Sequence, residues 1–407
     1  MFRNIAVLCL LITFLLSYGC SDSGNETIEL NEISIGALIP QSGDFASGGV
    51  EILAALNFAV TDINSVFESE NKATRINLVY ADTKTDSTTA KLHMESFISQ
   101  DIRITIGPST SMEVVGIKDQ INSSNNIVIS PSSTMPELAV AGDNIYRAVP
   151  DDSQMAEATV EVMWQQGIRN LALFYLDNRW SHSLTSLMKE KFEAKGGTFI
   201  GQVSYIGARE SELREYLAGL SEMVSDFLSG ANTSTTAIQM ISLDVGSLLL
   251  ELAYEDSTLG LVKWYGCDGY VNSNELFTYY PNGTAFAKTV EFTSPIFGST
   301  STAESIVLTE RLTSMIDRTP SQFALVAYDA LIAAAKVMDA VGEDASLSEI
   351  KENLISTCAS LNGVTGNIIF NAAGDRDNGK YFFWKVVPEA DSAKWEHVLT
   401  YNNGVIE

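Results

Sequence analysis

Histidine and cysteine are scarce in this chain of 407 residues, with three of the first and four of the second. So few nitrogen and sulfur ligands, none closely spaced, leave no basis for a zinc centre or a dithiol redox motif. Positive charge is short as well: 25 Lys and Arg stand against 51 Asp and Glu, for a formal net charge of −26. A nucleic-acid binder needs a basic face, so that class is set aside. The acid is spread without long blocks of like charge and reads as a solubilising surface. There is no GxSxG elbow, and His182 and His397 have no nucleophile motif beside them. No enzyme, metal or cofactor is therefore expected. Beyond the N-terminus, no run reads as long and apolar enough to span a membrane.

The N-terminus itself is distinctive. Arg3 precedes a short apolar stretch over residues 5–16, followed by LSYGC and the polar SDSGNE. The stretch is too short for a comfortable span and has the layout of a secretory signal. LSYGC looks like a lipoprotein processing box, with Ser17 where leucine is usual, so Cys20 is the candidate lipidation site. Ordinary signal cleavage nearby is the alternative. On this reading residues 1–19 are a signal peptide, 20–32 a lipidated tether, and the chain is exported and membrane-anchored, on the outer face of the cytoplasmic membrane or in the periplasm. Export permits a disulfide between the remaining Cys267 and Cys358, although spacing alone does not show that they meet.

The rest alternates strand and helix patterns. ISIGALIP, RINLVYAD, IRITIGP and NIVISP read as strands, separated by stretches of helical periodicity, and NLALFYL, FIGQVSYI, AIQMISL and LVKWYGC repeat the cycle. Such alternation builds right-handed βαβ units around parallel sheets, and two runs meeting near YRAVPDD imply two lobes. SPIFGSTST reads as a loop, and GNIIFNAAGDRDNGKYFFWKVV as a β-hairpin. Asp151, Asp152 and Ser153 read together as a helix cap.

Polar residues collect where strands hand over to helices: Ser111 in GPSTS, Ser132 and Thr134 in ISPSSTMPEL, Asp268 in YGCDGY. Ligands of open α/β sheets bind at those carboxyl ends, and helix N-termini there favour anions. Two hydroxyl-bearing turns suit a carboxylate, and one acid suits an ammonium. Each residue also has a plainer role open to it, as a helix cap or as part of a glycine turn. Trp180 either packs in the core or covers a ligand.

The segments IGALIPQSGDFASGGVEILAALNFAVTDIN, ITIGPSTS, ISPSSTMPEL, DNIYRAVPDDSQ and GVTGNIIFNAAGD resemble the substrate-binding proteins of branched-chain amino-acid ABC importers, type I periplasmic binding proteins. The resemblance runs from residue 33 almost to the C-terminus. It implies two Rossmann-like α/β lobes with parallel central sheets, 33–148 plus 297–364 and 149–296 plus 365–407, joined by three crossings near 147–150, 294–298 and 364–366. It places Ser111 and Thr134 on the ligand carboxylate, the Ser132 carbonyl and Asp268 on the ammonium, and Trp180 on a lid. Phe45 and Asp244 complete the side-chain pocket, and Gly48 falls on an aromatic position of the family, which implies an open wall there. The implied function is capture of a free amino acid, branched-chain or otherwise neutral, by closing lobes of a monomer, and delivery to an importer permease. The alternatives keep the fold but bind an amide, urea-like compound or aromatic acid, or turn binding into sensing.

Overall fold

The computed structural model describes residues 30–207, 209–228, 230, 232–299, 301–390 and 392–407. The signal segment and Cys20 lie outside the described residues. The first sheet holds β1 (Asn31–Leu38), β2 (Thr74–Ala81), β3 (Ile104–Ile106), β4 (Ile127–Ser130) and β5 (Ile145–Arg147), in the order β2-β1-β3-β4-β5 and parallel throughout. Its connecting helices are α1 (Ala46–Ser69), α2 (Ser87–Ser99) and α3 (Ser111–Asn122). β3 and β4 are buried along their whole length, as strands covered on both faces by helices must be.

The chain then leaves for a second sheet. It passes through α4 (Asp152–Gln165), β6 (Asn170–Leu176), α5 (Arg179–Ala194), β7 (Thr198–Tyr205), α6 (Glu210–Leu228), β8 (Thr236–Ile241), α7 (Gly246–Ala253), β9 (Lys263–Tyr265), α8 (Glu275–Tyr279), α9 (Pro281–Thr289) and β10 (Thr293–Gly298). Three helices follow, α10 (Ala303–Ile316), α11 (Gln322–Val341) and α12 (Leu347–Ser360). They return to the first sheet, where α11 packs along α1 and over β1 and β3. The last strands, β11 (Lys380–Glu389), β12 (Ser392–Asn402) and β13 (Val405–Ile406), extend the second sheet to the order β13-β12-β11-β10-β9-β8-β6-β7. β6 to β10 run parallel, and β11 to β13 are antiparallel. The fold is thus two α/β lobes with parallel-dominated sheets.

Three local expectations are corrected. SPIFG is not loop but most of β10, fully buried between β9 and β11; Pro295 and the small residues around it hide a strand of ordinary length. The expected hairpin does not form either. NIIF pairs with the following segment through one isolated bridge, Phe370 with Arg376, rather than a ladder, and β11 pairs instead with β10 and β12. The NIIF backbone is satisfied outside a ladder: Ile368 N–H donates to the Cys358 carbonyl and Ile369 N–H to the Asn378 side chain, at Oδ1. Finally, α1 is long and apolar enough to cross a membrane by composition. Here it is a core helix, with Ile52, Leu56, Ala59 and Ile63 buried at helical spacing.

Candidate functional site

Each sheet reverses its strand order beside its first strand, between β1 and β3 and between β6 and β8. The crevice outside the carboxyl ends at such a switch is where open α/β sheets receive ligands. The two crevices face one another across a cavity of about 110 Å³. That is comparable with the roughly 150 Å³ that takes one benzene-sized molecule. Ser111, Ser132 and Thr134 line it from the first lobe, and Trp180 and Asp268 from the second, so the structure brings these five sequence candidates together. Phe45, Met112, Leu176, Leu243 and Phe323 supply its apolar wall.

The first-lobe side is built around α3. Its N-cap is Thr110, which forms a capping box with Glu113: the Thr110 hydroxyl accepts from Glu113 N–H, and Glu113 Oε2 accepts from Thr110 N–H at 2.9 Å. The cap role open to Ser111 is thereby taken. Ser111 Oγ instead accepts from Ser133 Oγ at 3.1 Å and from the N–H groups of Thr134 and Met135 at 3.2 Å each. With its lone pairs engaged, its own O–H remains to be given to an anion beside the helix N-terminus. Behind the turn the fully buried Arg147 guanidinium donates to the Met135 carbonyl at 2.7 Å and grips Asp375 through two bonds of 2.5 and 2.7 Å. Ser132 Oγ is tied to the Ser109 carbonyl at 2.8 Å.

The second-lobe side is acidic. Asp268 is buried, and among the described residues its Oδ1 has no hydrogen-bond partner. Burial, then the nearby Asp152 carboxylate, push the Asp268 carboxyl well above the usual range. Asp152, the first residue of α4, is fully buried too. Its Oδ2 accepts from Trp180 Nε1 at 2.9 Å, its Oδ1 is unpartnered among the described residues, and its N–H donates to the Thr134 carbonyl at 2.8 Å. Burial raises its pKa to about 7, against opposing contributions from the Thr134 hydroxyl and Arg147. Two carboxylates held this way favour a cation between them. Trp180 is locked over them: a Cβ on Gly269 would stand 3.0 Å from its ring.

Asp152 is the buried acid beside the site that sequence reasoning missed. A signal existed in the doubled acid at the start of α4. Only Asp151 caps that helix, through Ser153 N–H at 2.9 Å, which leaves the second acid for another role.

Other expectations change. The wall implied to be open at Gly48 is filled by Phe45, whose ring would lie only 2.5 Å from a Cβ at that glycine. Asp244 does not line this cavity but the smaller pocket beside it, which shares Phe45, Asp268, Gly269 and Phe323. Asp244 turns outward to α1, where its carboxylate accepts from Ser47 N–H at 3.0 Å and from the Ser47 hydroxyl. Burial pushes its pKa up to about 6. Cys267 and Cys358 are both free and buried in separate surroundings. Cys267 donates to the Ser242 carbonyl, whereas Cys358 sits on α12 near Asp329 and Arg376, so the bridge raised from the sequence is not formed. Among the described residues no cluster of His, Cys, Asp and Glu could hold a metal.

Comparison with known proteins gives one family and one fold. The profile of the Periplasmic binding protein family matches residues 32–243. The uncharacterised protein MJ1266 of Methanocaldococcus jannaschii is 29% identical over 388 residues, 89% of this chain and 90% of its own. The branched-chain amino-acid transporter substrate-binding protein LivJ of Streptococcus pneumoniae, solved with isoleucine, superposes with a TM-score of 0.72 at 18% identity, over 90% of this chain and all of that one. A solute-binding protein of an ABC transporter from R. palustris, solved with benzoate, gives 0.72 at 16% identity over 90% and 96%.

Proposed function

The chain belongs to the type I periplasmic binding protein family, and from that premise we propose that it captures a neutral α-amino acid, branched-chain or of similar size, between its lobes and delivers it to an ABC importer. The observation that carries this reading is the buried, under-satisfied Asp268 carboxylate lining the same cavity as the Ser111 O–H and a helix N-terminus, with a second buried acid, Asp152, behind the lining Trp180. The ammonium lies against Asp268, aided by the Ser132 carbonyl and by the charge of Asp152 nearby, and the carboxylate lies against Ser111 and Thr134. Charge-assisted bonds of this kind contribute about 1.5–3 kcal/mol each. The aliphatic side chain meets Phe45, Met112, Leu176, Leu243 and Phe323. No Lys or Arg lines the cavity among the described residues, which disfavours an acidic side chain.

A ligand bridging 33–148 plus 297–364 and 149–296 plus 365–407 binds the closed form better and shifts the population toward it, about crossings near 147–150, 294–298 and 364–366. The protein acts as an exported, Cys20-anchored monomer with no catalytic step. A second reading, an aromatic acid as ligand, is favoured by the likeness to the benzoate-bound R. palustris protein and needs only the carboxylate end. A thermal-shift screen against the twenty amino acids, urea, short amides and benzoate separates the two. A tight ligand at a hundredfold excess over its Kd stabilises by about 2.7 kcal/mol. Shifts confined to neutral L-amino acids are expected. Shifts confined to benzoate or amides overturn the ammonium site.

A further inference from the structure

Helix α1 is 24 residues long, yet its N-cap Phe45 makes no side-chain capping bond and its first turn carries no acid. A cap nevertheless exists, and it comes from the other lobe. Asp244 follows β8, and its Oδ2 accepts from the N–H of Ser47, the second helical residue, at 3.0 Å while Oδ1 accepts from the Ser47 hydroxyl. A capping side chain takes the N–H of the second or third helical residue, so this is the bonding of an N-cap made across the cleft. The Asp244 N–H also donates to the Asp44 carbonyl at 3.0 Å, and Arg318 fixes the same turn by donating to the Ser47 carbonyl at 2.7 Å. Asp44 and Phe45, inside this clasp, line the ligand cavity.

We propose that Asp244 and Ser47 are positioning residues of the binding site, an inter-lobe helix cap that forms only on closure and holds the ligand in without touching it. A second cleft-crossing contact provides the contrast. Arg179 Nη2 meets Glu137 Oε2 at 2.6 Å, but these side chains are 59% and 50% exposed, and an ion pair in that setting contributes little. The cap is more shielded and takes one helix N–H and the Ser47 hydroxyl, so it contributes more to the closed state than the exposed pair.

This inference rests on lobe closure around an amino acid, so its test reads closure with and without ligand. Asp244→Ala, Ser47→Ala and, as contrast, Glu137→Ala are compared for leucine affinity and dissociation rate. Asp244→Ala is expected to weaken binding roughly 3- to 30-fold, the range spanned by helix caps. The loss falls in a faster dissociation rate, Ser47→Ala loses less, and Glu137→Ala is near neutral. Equal losses for Asp244→Ala and Glu137→Ala, or none for Asp244→Ala, overturn the proposal. Spin labels at exposed Leu92 and Leu261, one on each lobe, report closure independently. In ligand-free protein Asp244→Ala is expected to broaden the inter-label distances toward longer values. Identical distributions with and without Asp244 overturn the cap even if leucine proves not to be a ligand, a result that would count against the functional reading alone.

Discussion

Replacing Asp268 by asparagine should move ligand affinity and protein stability in opposite directions. In the ligand-free protein the carboxylate is buried beside Asp152, without a cation of its own among the described residues, and its pKa is raised by both circumstances. A group held this way costs stability once it ionises. The cost is absent below the unfolded carboxylate pKa and grows as pH rises toward the folded value. Asparagine keeps the shape and one acceptor oxygen and removes the charge, so ligand-free Asp268→Asn should melt higher than wild type at pH 7.5, by roughly 2 °C for each kcal/mol of cost removed in a chain of this size. Binding should suffer instead. Removing one partner of a buried charge pair costs about 2–5 kcal/mol, and at 1.4 kcal/mol per decade that is roughly 30- to 4,000-fold in Kd. Isothermal titration with leucine and melting curves on the same preparation check both arms. An affinity within threefold of wild type would falsify the role of Asp268, and a lowered ligand-free Tm would show that the carboxylate is a structural element rather than an uncompensated one.

Two further outcomes follow from the same geometry. Since a bound ammonium favours the ionised form of Asp152, whose pKa stands at about 7, and of Asp268, binding should release protons. Affinity should therefore fall as pH drops from 7 to 5, by up to tenfold per unit for each proton released, and titration in buffers of different ionisation enthalpy should detect the release; a flat profile with no buffer dependence contradicts it. Gly48→Ala should drive the Phe45 ring from its place, because the new Cβ would lie 2.5 Å from it, and so weaken leucine binding more than alanine binding; equal effects on both ligands would show that this wall does not contact the side chain.

The lobes and the site were legible from the sequence to different depths. Strand and helix alternation gave the strands of both sheets up to β9 except the three-residue β5, because buried parallel strands such as NIVISP read as short apolar runs between helices. The C-terminal part was harder. β10 carries Pro295, and β11 finds its partner in β12 across a short turn rather than in the NIIF run before it. Ser111, Ser132, Thr134, Trp180 and Asp268 were readable because each stands at the carboxyl end of a recognisable strand. Asp152 stands within an ordinary helix-cap motif and is brought behind the cavity-lining Trp180 only through the packing of α4 against α5. Asp244 also follows a strand, yet it faces α1 instead of the cavity, a choice set by the approach of the two lobes. Gly48 misled because the ring it seemed to lack is supplied by Phe45, three residues earlier.

The most direct measurement is a calorimetric comparison of leucine with 4-methylpentanoate and 3-methylbutylamine, molecules that keep the aliphatic body and lose one charge each. If the cavity holds a zwitterion between Ser111 and Thr134 on one side and Asp268, with Asp152 near it, on the other, leucine should bind at least a hundredfold more tightly than either. If 4-methylpentanoate binds as tightly as leucine, the acids do not hold an ammonium, and the protein is a receptor for carboxylates rather than amino acids.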